Sequence, residues 1–200
     1  MPQKSNPYPD EILESLVQNL IKSQPQVTDC LELVVSIAEV DLNLRDLSGY
    51  LDLADRVYGR LVTDGLRSYA QLPSEQIRIT EVRSGSFEMV FQEMLANMDK
   101  VSATVLVGLL LKYLPAAVES LSAAYKDYQE AQLTKLRREK LRQEMEKDQD
   151  LKNLDNHGLD LLVAYLDQTY QSEKRALPSA CRFAEKYVQK ISFSLVRKTE

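Results

Sequence analysis

The feature that most constrains this chain is an almost uncharged stretch in its middle. From Val101 to Val118 the single charged side chain is Lys112. Eighteen residues approach the length that a helix needs to cross a bilayer, but the uncharged run before the lysine has only eleven. A lysine near the centre of a span costs about 2.5 to 3.5 kcal/mol. We therefore predict a buried helix of the core or of an oligomer interface, with membrane contact as the alternative.

In the membrane alternative, the apolar segment inserts or lies at the bilayer interface, and the chain is a bacterial defence or stress effector. Lys112 would extend its ammonium group to the surface beside Tyr113, while Val105 and Leu109 would contact lipid. A basic run at 135–142 follows, and it would meet anionic lipid or phosphate through three arginines: Arg137, Arg138 and Arg142. Interleaved glutamates favour a different interpretation of this run, as the salt-bridged face of a solvent-exposed helix.

Composition excludes several classes of site. The chain has 200 residues and a formal charge of -5, with one histidine and two cysteines 151 positions apart. This composition makes zinc, haem and Cys/His clusters improbable, so we expect no metal and no cofactor. Two cysteines without a pairing pattern indicate a reduced, intracellular protein. The N-terminal residues lack the apolar core of a secretory signal, so we expect a cytoplasmic protein, with the periphery of the inner membrane as the alternative. The pI near 5.1 makes nucleic acid an unlikely partner.

The first half of the chain alternates between helical and strand periodicities. A proline-containing arm at 1–9 precedes an amphipathic helix at 10–23, and a β-branched run predicts a strand at about 31–40. A helical period then returns from about Leu44 and ends at Gly65. Residues 76–92 predict a β-hairpin that turns at Ser84-Gly85, and its register would place Arg83 opposite Glu88 as a structural pair.

Beyond Met94 we find only helical patterns. They predict an apolar helix, a long charged helix from Pro115 to about Asp148, and two amphipathic helices at 151–170 and 178–196. The predicted fold is α+β, with a three-stranded antiparallel sheet packed on helices and followed by an extended helical tail. The predicted division is a flexible arm at 1–9, an α+β head at 10–98 and the tail at 99–200.

The hairpin reads Arg78-Ile-Thr-Glu-Val-Arg-Ser-Gly-Ser-Phe-Glu88, and the apolar Leu109-Leu-Leu-Lys-Tyr-Leu-Pro115 follows it. With the segment from Val40 to Tyr58, this pattern resembles a set of uncharacterised bacterial proteins of about this size, over roughly residues 30–195. The resemblance implies that hairpin, apolar helix and charged helix form one module. It implies no activity, cofactor or partner.

No catalytic motif emerges from the sequence. His157 lies beside a glycine without a neighbouring nucleophile, and Cys30 and Cys181 fall at positions typical of small core residues. We therefore predict a non-enzymatic interaction protein, and we keep a carboxylate and histidine enzyme as a remote alternative. The interaction protein would self-associate or dock a protein partner through an apolar seam in the tail, at Val118, Leu121, Tyr125 and Tyr128.

Overall fold

The computed structural model describes residues 17–18, 29–38, 41–65, 76–83, 87–124, 130–152, 154–173 and 175–197. These residues form four strands: β1 (Cys30–Ile37), β2 (Ile79–Arg83), β3 (Phe87–Met94) and β4 (Val188–Val196). They also form five helices and one short 3-10 turn. The helices are α1 (Leu44–Gly65), α2 (Met98–Ala124), α3 (Glu130–Met145), α4 (Asn156–Ser172) and α5 (Leu177–Tyr187), and the turn is Gln149–Leu151.

One antiparallel sheet in the order β2-β3-β1-β4 organises the fold. The α+β class, the predicted first strand and the predicted hairpin are confirmed. The count of three strands is wrong, because β4 pairs with β1 along its whole length, from Cys30 opposite Val196 to Ile37 opposite Val188. The chain's last strand therefore completes a sheet that its first strand begins.

The fourth strand replaces the second half of the helix predicted at 178–196. Helical spacing placed Ile191 and Leu195 on the stripe of α5, but the same residues also alternate with Lys190, Ser192 and Ser194. Alternation of this kind is the period of a strand with one buried face, and Ile191 is buried while Lys190 is exposed. Since β1 offers a free edge beside it, backbone pairing decides between two patterns that the residues satisfy equally well.

The apolar helix α2 packs against the sheet and does not begin a separate helical tail. It contacts β1, β3 and β4 as well as α1 and α5. At the crossing, a Cβ on Gly108 would lie 2.5 Å from Phe193 Cζ and 2.8 Å from Leu33 Cδ1. A side chain at position 108 would therefore force α2, Phe193 or Leu33 to shift, so glycine lets helix and sheet approach closely here. Pro115, predicted to interrupt or open a helix, lies inside α2, which continues to Ala124.

Helices α1 and α5 complete the core on the same side. Tyr50 stacks at a tilt on Phe183, with ring centroids 4.9 Å apart, and Phe183 in turn packs on Tyr187 at 5.2 Å. A Cβ on Gly49 would lie 2.5 Å from Ser179 Cβ, so α1 and α5 also approach closely. Arg182 on α5 binds Asp46 on α1 at 3.0 Å and fixes the two helices along their axes.

Candidate interaction surface

The residues predicted for membrane contact lie on α2, where this chain's own residues cover most of them. Val105 and Leu109 are each 1% exposed and Tyr113 is 6% exposed. Lys112 is explained by a partner in the fold, since its Nζ lies 2.6 Å from Asp148 Oδ2. Tyr113 donates a hydrogen bond to the same oxygen. Lys112, the one charged residue of the apolar stretch, therefore forms an ion pair with Asp148 in the turn after α3.

None of the helices in the described part of the chain combines the length and the apolarity needed to cross a membrane. Membrane contact by other means stays a prediction.

The basic run predicted to contact anions lies on α3. Arg138 binds Asp167 on α4 at 3.1 Å, and Asp167 is only 4% exposed in that pair. Arg142 donates to Glu146 at 3.1 Å and to Asn156 at 3.0 Å. The side chain of Arg137 lies outside the described part. These two arginines therefore connect α3 to α4 and to the turn that follows α3, and contact of the basic run with anions stays a prediction.

The predicted interface in the tail falls largely outside what the structure describes. Val118 and Leu121 lie in α2, but their side chains are outside the described part, as are Tyr125 and Tyr128 entirely. An interface at these four residues therefore stays a prediction.

The two cysteines are buried in the fold, and the single histidine lies at its surface. Burial, followed by a hydrogen bond to Glu185 at 3.2 Å, raises the pKa of Cys181 to about 12. Cys30 is 1% exposed and donates to the Val196 carbonyl at 3.7 Å. His157 is exposed in the first turn of α4. Among the residues that the structure describes, no three His, Cys, Asp or Glu side chains are grouped as metal ligands.

A buried carboxylate, which the sequence analysis missed, occupies the sheet face opposite α2. Glu32 is 3% exposed and accepts from Gln92 at 2.6 Å, from Arg83 at 3.1 Å and from Ser194 at 3.3 Å. Arg83 faces Glu88 in register as predicted, but its side chain binds Glu32 and Glu81. The partners of Glu32 among the described residues lie on β2, β3 and β4, so this cluster connects the four strands and we assign it a structural role.

The surface that stands out for binding is the outer face of the first half of α1. This half is firmly held, because Asn43 caps the helix through Oδ1 to the backbone N–H of Arg45 at 3.0 Å. The Asn43 backbone itself donates to the Tyr187 hydroxyl at 3.2 Å. Leu44, the first residue of the helix, is nevertheless 75% exposed. Leu44 is therefore exposed at a helix start whose backbone is held in place by hydrogen bonds.

Leu44 begins a line of residues three or four positions apart that runs the length of α1. The line continues through Leu47, Leu51, Asp55, Tyr58 and Val62. Tyr58 and Val62 are buried, and the Tyr58 hydroxyl donates to Glu93 on β3 at 3.0 Å. Before Asp55 the line is open, with Leu47 and Leu51 only half-buried. The described part of the fold therefore buries the second half of one apolar line and leaves the first half partly exposed, with Leu47 and Leu51 packed at the edge of the core.

The three leucines border a shallow, open depression of about 410 Å³, whose other described lining residues, Ser48, Asp52 and Asp55, lie on the same helix. Asp52 is exposed and pairs with Arg56 at 2.8 Å. Arg45, seven positions before Asp52 and therefore on the same side of the helix, is exposed as well. The surface is thus an apolar stripe with a basic residue near one end and acidic residues near the other. We call Leu44, Leu47 and Leu51 the leucine stripe.

The sequence carries a signal for this surface in the width of the apolar arc of α1. The apolar positions of α1 include Leu53 and Val57 as well as the leucine stripe, which is a wider arc than one packed face needs. Periodicity identifies such an arc but does not say which edge of it neighbouring elements cover.

No family model, no curated protein and no solved structure matches this chain. The resemblance inferred from the hairpin sequence therefore gains no support from these comparisons.

Proposed function

We propose that this chain is a non-enzymatic interaction protein that docks a protein partner on the leucine stripe of α1. The observation that supports the proposal is the partly exposed first half of an apolar line, on a helix whose start is capped by Asn43 and which packs on α5. Because the helix is already ordered, a partner that covers the stripe gains apolar burial without the cost of ordering this backbone.

The buried ionisable groups support a structural fold over a catalytic one. Asp46, Asp148 and Asp167 each bind a basic side chain of another element. Cys181 remains a protonated thiol at neutral pH, because its pKa is about 12, and a protonated thiol is a poor nucleophile. The three aspartates are thus committed to joining elements of the fold.

The shape of the surface indicates the chemistry of the partner. A leucine line with three- and four-residue spacing fits the apolar face of an amphipathic helix, as in helix-in-groove recognition. The partner should also carry a basic side chain toward Asp52 and Asp55 and an acidic one toward Arg45, since opposite charges at the rim set orientation.

The test is site-specific photocrosslinking in the cells that make the protein, with the photoreactive residue in place of the exposed Ser48. We expect a discrete adduct, and we expect Leu44→Asp to lower its yield about tenfold through loss of roughly 1 to 2 kcal/mol of binding energy. The matched control is Leu136→Asp, since Leu136 is 67% exposed on α3 and should not affect the adduct. The proposal is wrong if Ser48 gives no adduct, or if both substitutions lower the yield equally.

A further inference from the structure

We infer that the partner on the leucine stripe is a second copy of this chain, bound antiparallel across a two-fold axis. This inference rests on the proposed function and adds the identity of the partner. It comes from the order of charges along α1, which is complementary to itself.

A two-fold interface requires that one patch be complementary to its own copy. Along α1 the order is Arg45, Leu47, Ser48, Leu51 and Asp52. In an antiparallel pair whose axis passes between Ser48 and Gly49, Arg45 of each copy lies level with Asp52 of the other. Leu47 of each copy then lies one residue, about 1.5 Å, from the level of Leu51 of the other.

The sides of the helices agree with this pairing. Antiparallel helices bring the same flank of each copy together, and residues seven positions apart lie on the same flank. Arg45 of each copy and Asp52 of the other therefore meet along one rim of the interface, once on each side of the two-fold axis. A parallel pair would instead place Arg45 level with Arg45 and Asp52 level with Asp52, so the charges favour the antiparallel arrangement.

The contact is short, because the apolar line is open only before Asp55. We expect a weak dimer, with a dissociation constant of about 10 to 100 µM, as for small interfaces that form and dissociate rapidly. Asp52 keeps its pair with Arg56 at 2.8 Å in the single copy, and the second copy's Arg45 would add to that pair.

Sedimentation equilibrium of the purified full chain, over about 5 to 300 µM, measures the dimer by mass action. We expect Arg45→Glu and Asp52→Lys each to weaken it about tenfold, and the double variant to recover to within about threefold of the unaltered chain. Leu136→Asp should leave the dimer unchanged. If the double variant is no better than the single variants, the antiparallel charge pairing is wrong.

A Ser48→Cys variant gives a second readout. Ser48 lies near the proposed axis, so mild oxidation should join two copies through this position, whereas Gln143→Cys, exposed on α3, should not. A chain that stays monomeric over the whole range and forms no Ser48→Cys disulfide overturns the inference. If Ser48 nevertheless crosslinks in cells to a protein of another mass, the proposed function stands and only the second copy is excluded. Absence of both crosslinks contradicts both proposals.

Discussion

Lys112 and Asp148 form an ion pair with 2.6 Å between Nζ and Oδ2, and it connects the apolar helix α2 to the turn that follows α3. The side chains are 26% and 9% exposed, so the pair is largely removed from water. Tyr113, the next residue along α2, donates to the same carboxylate. The charge of Lys112, which interrupts the apolar stretch, thus helps to join α2 to the turn after α3.

Replacing Asp148 with asparagine should therefore destabilise the protein. The partly buried ammonium group of Lys112 would lose the charge of the Asp148 carboxylate, and we expect the free energy of unfolding to fall by about 1 to 3 kcal/mol, less than for a fully buried pair. Urea denaturation measures the change. The matched control is Asp160→Asn, because Asp160 is 61% exposed and pairs with Arg142 at 3.6 Å. Equal effects of the two substitutions would contradict this account.

Glu32 and Glu81 provide a second comparison, because both bind Arg83 but differ in burial. In these pairs Glu32 is 4% exposed and Glu81 is 50% exposed. Glu32→Gln removes the charge and turns an amide N–H₂ toward donors, so we expect a loss of about 1 to 3 kcal/mol. Glu81→Gln should change stability by less than about 0.5 kcal/mol. Chemical denaturation of both variants measures the two losses in the free energy of unfolding. A comparable loss for Glu81→Gln would show that burial of the carboxylate does not set the size of the effect.

Gly108→Ala should be destabilising although alanine favours helices. The added methyl group would lie 2.5 Å from Phe193 Cζ and 2.8 Å from Leu33 Cδ1, so α2 or the ring must shift, at a cost of about 1 to 3 kcal/mol. Thermal unfolding measures this loss. In a Phe193→Leu background the same glycine substitution should cost less, since the smaller side chain gives way. An equal cost in both backgrounds would show that Phe193 is not the obstacle.

The sequence correctly predicted the elements whose hydrophobic spacing fits only a helix or only a strand. The hairpin and the helix ending at Gly65 have unambiguous patterns and are found as expected. In contrast, Val188, Ile191 and Leu195 fit a helix stripe, while Ile191, Phe193 and Leu195 fit a strand face. The free edge of β1 selects the strand, and that edge is a property of the folded sheet. Local pattern therefore could not reveal the fourth strand.

The candidate surface was hidden for a related reason. Helical spacing puts Leu47 and Leu51 on the apolar arc of α1, but the arc continues through Tyr58 and Val62, which the fold buries. Only the folded positions of β3 and the neighbouring helices show which part of the apolar arc of α1 is buried. Similarly, Lys112 finds Asp148 thirty-six positions away, a pairing that no helical spacing predicts.

Cys181 gives the last prediction, which concerns alkaline pH. Burial raises its pKa from 9.0 to about 12, whereas in the unfolded chain the thiol ionises near its ordinary value. Above pH 9 the unfolded state therefore binds fewer protons than the folded state, and stability falls as pH rises toward 12. Relative to Cys181→Ala, the unaltered chain should lose up to about 1.4 kcal/mol more per pH unit in this range. Urea denaturation at a series of pH values measures both slopes. Since the alanine variant lowers stability by a constant amount at every pH, only the difference in slope reports the thiol, and parallel slopes would show that Cys181 ionises alike in both states.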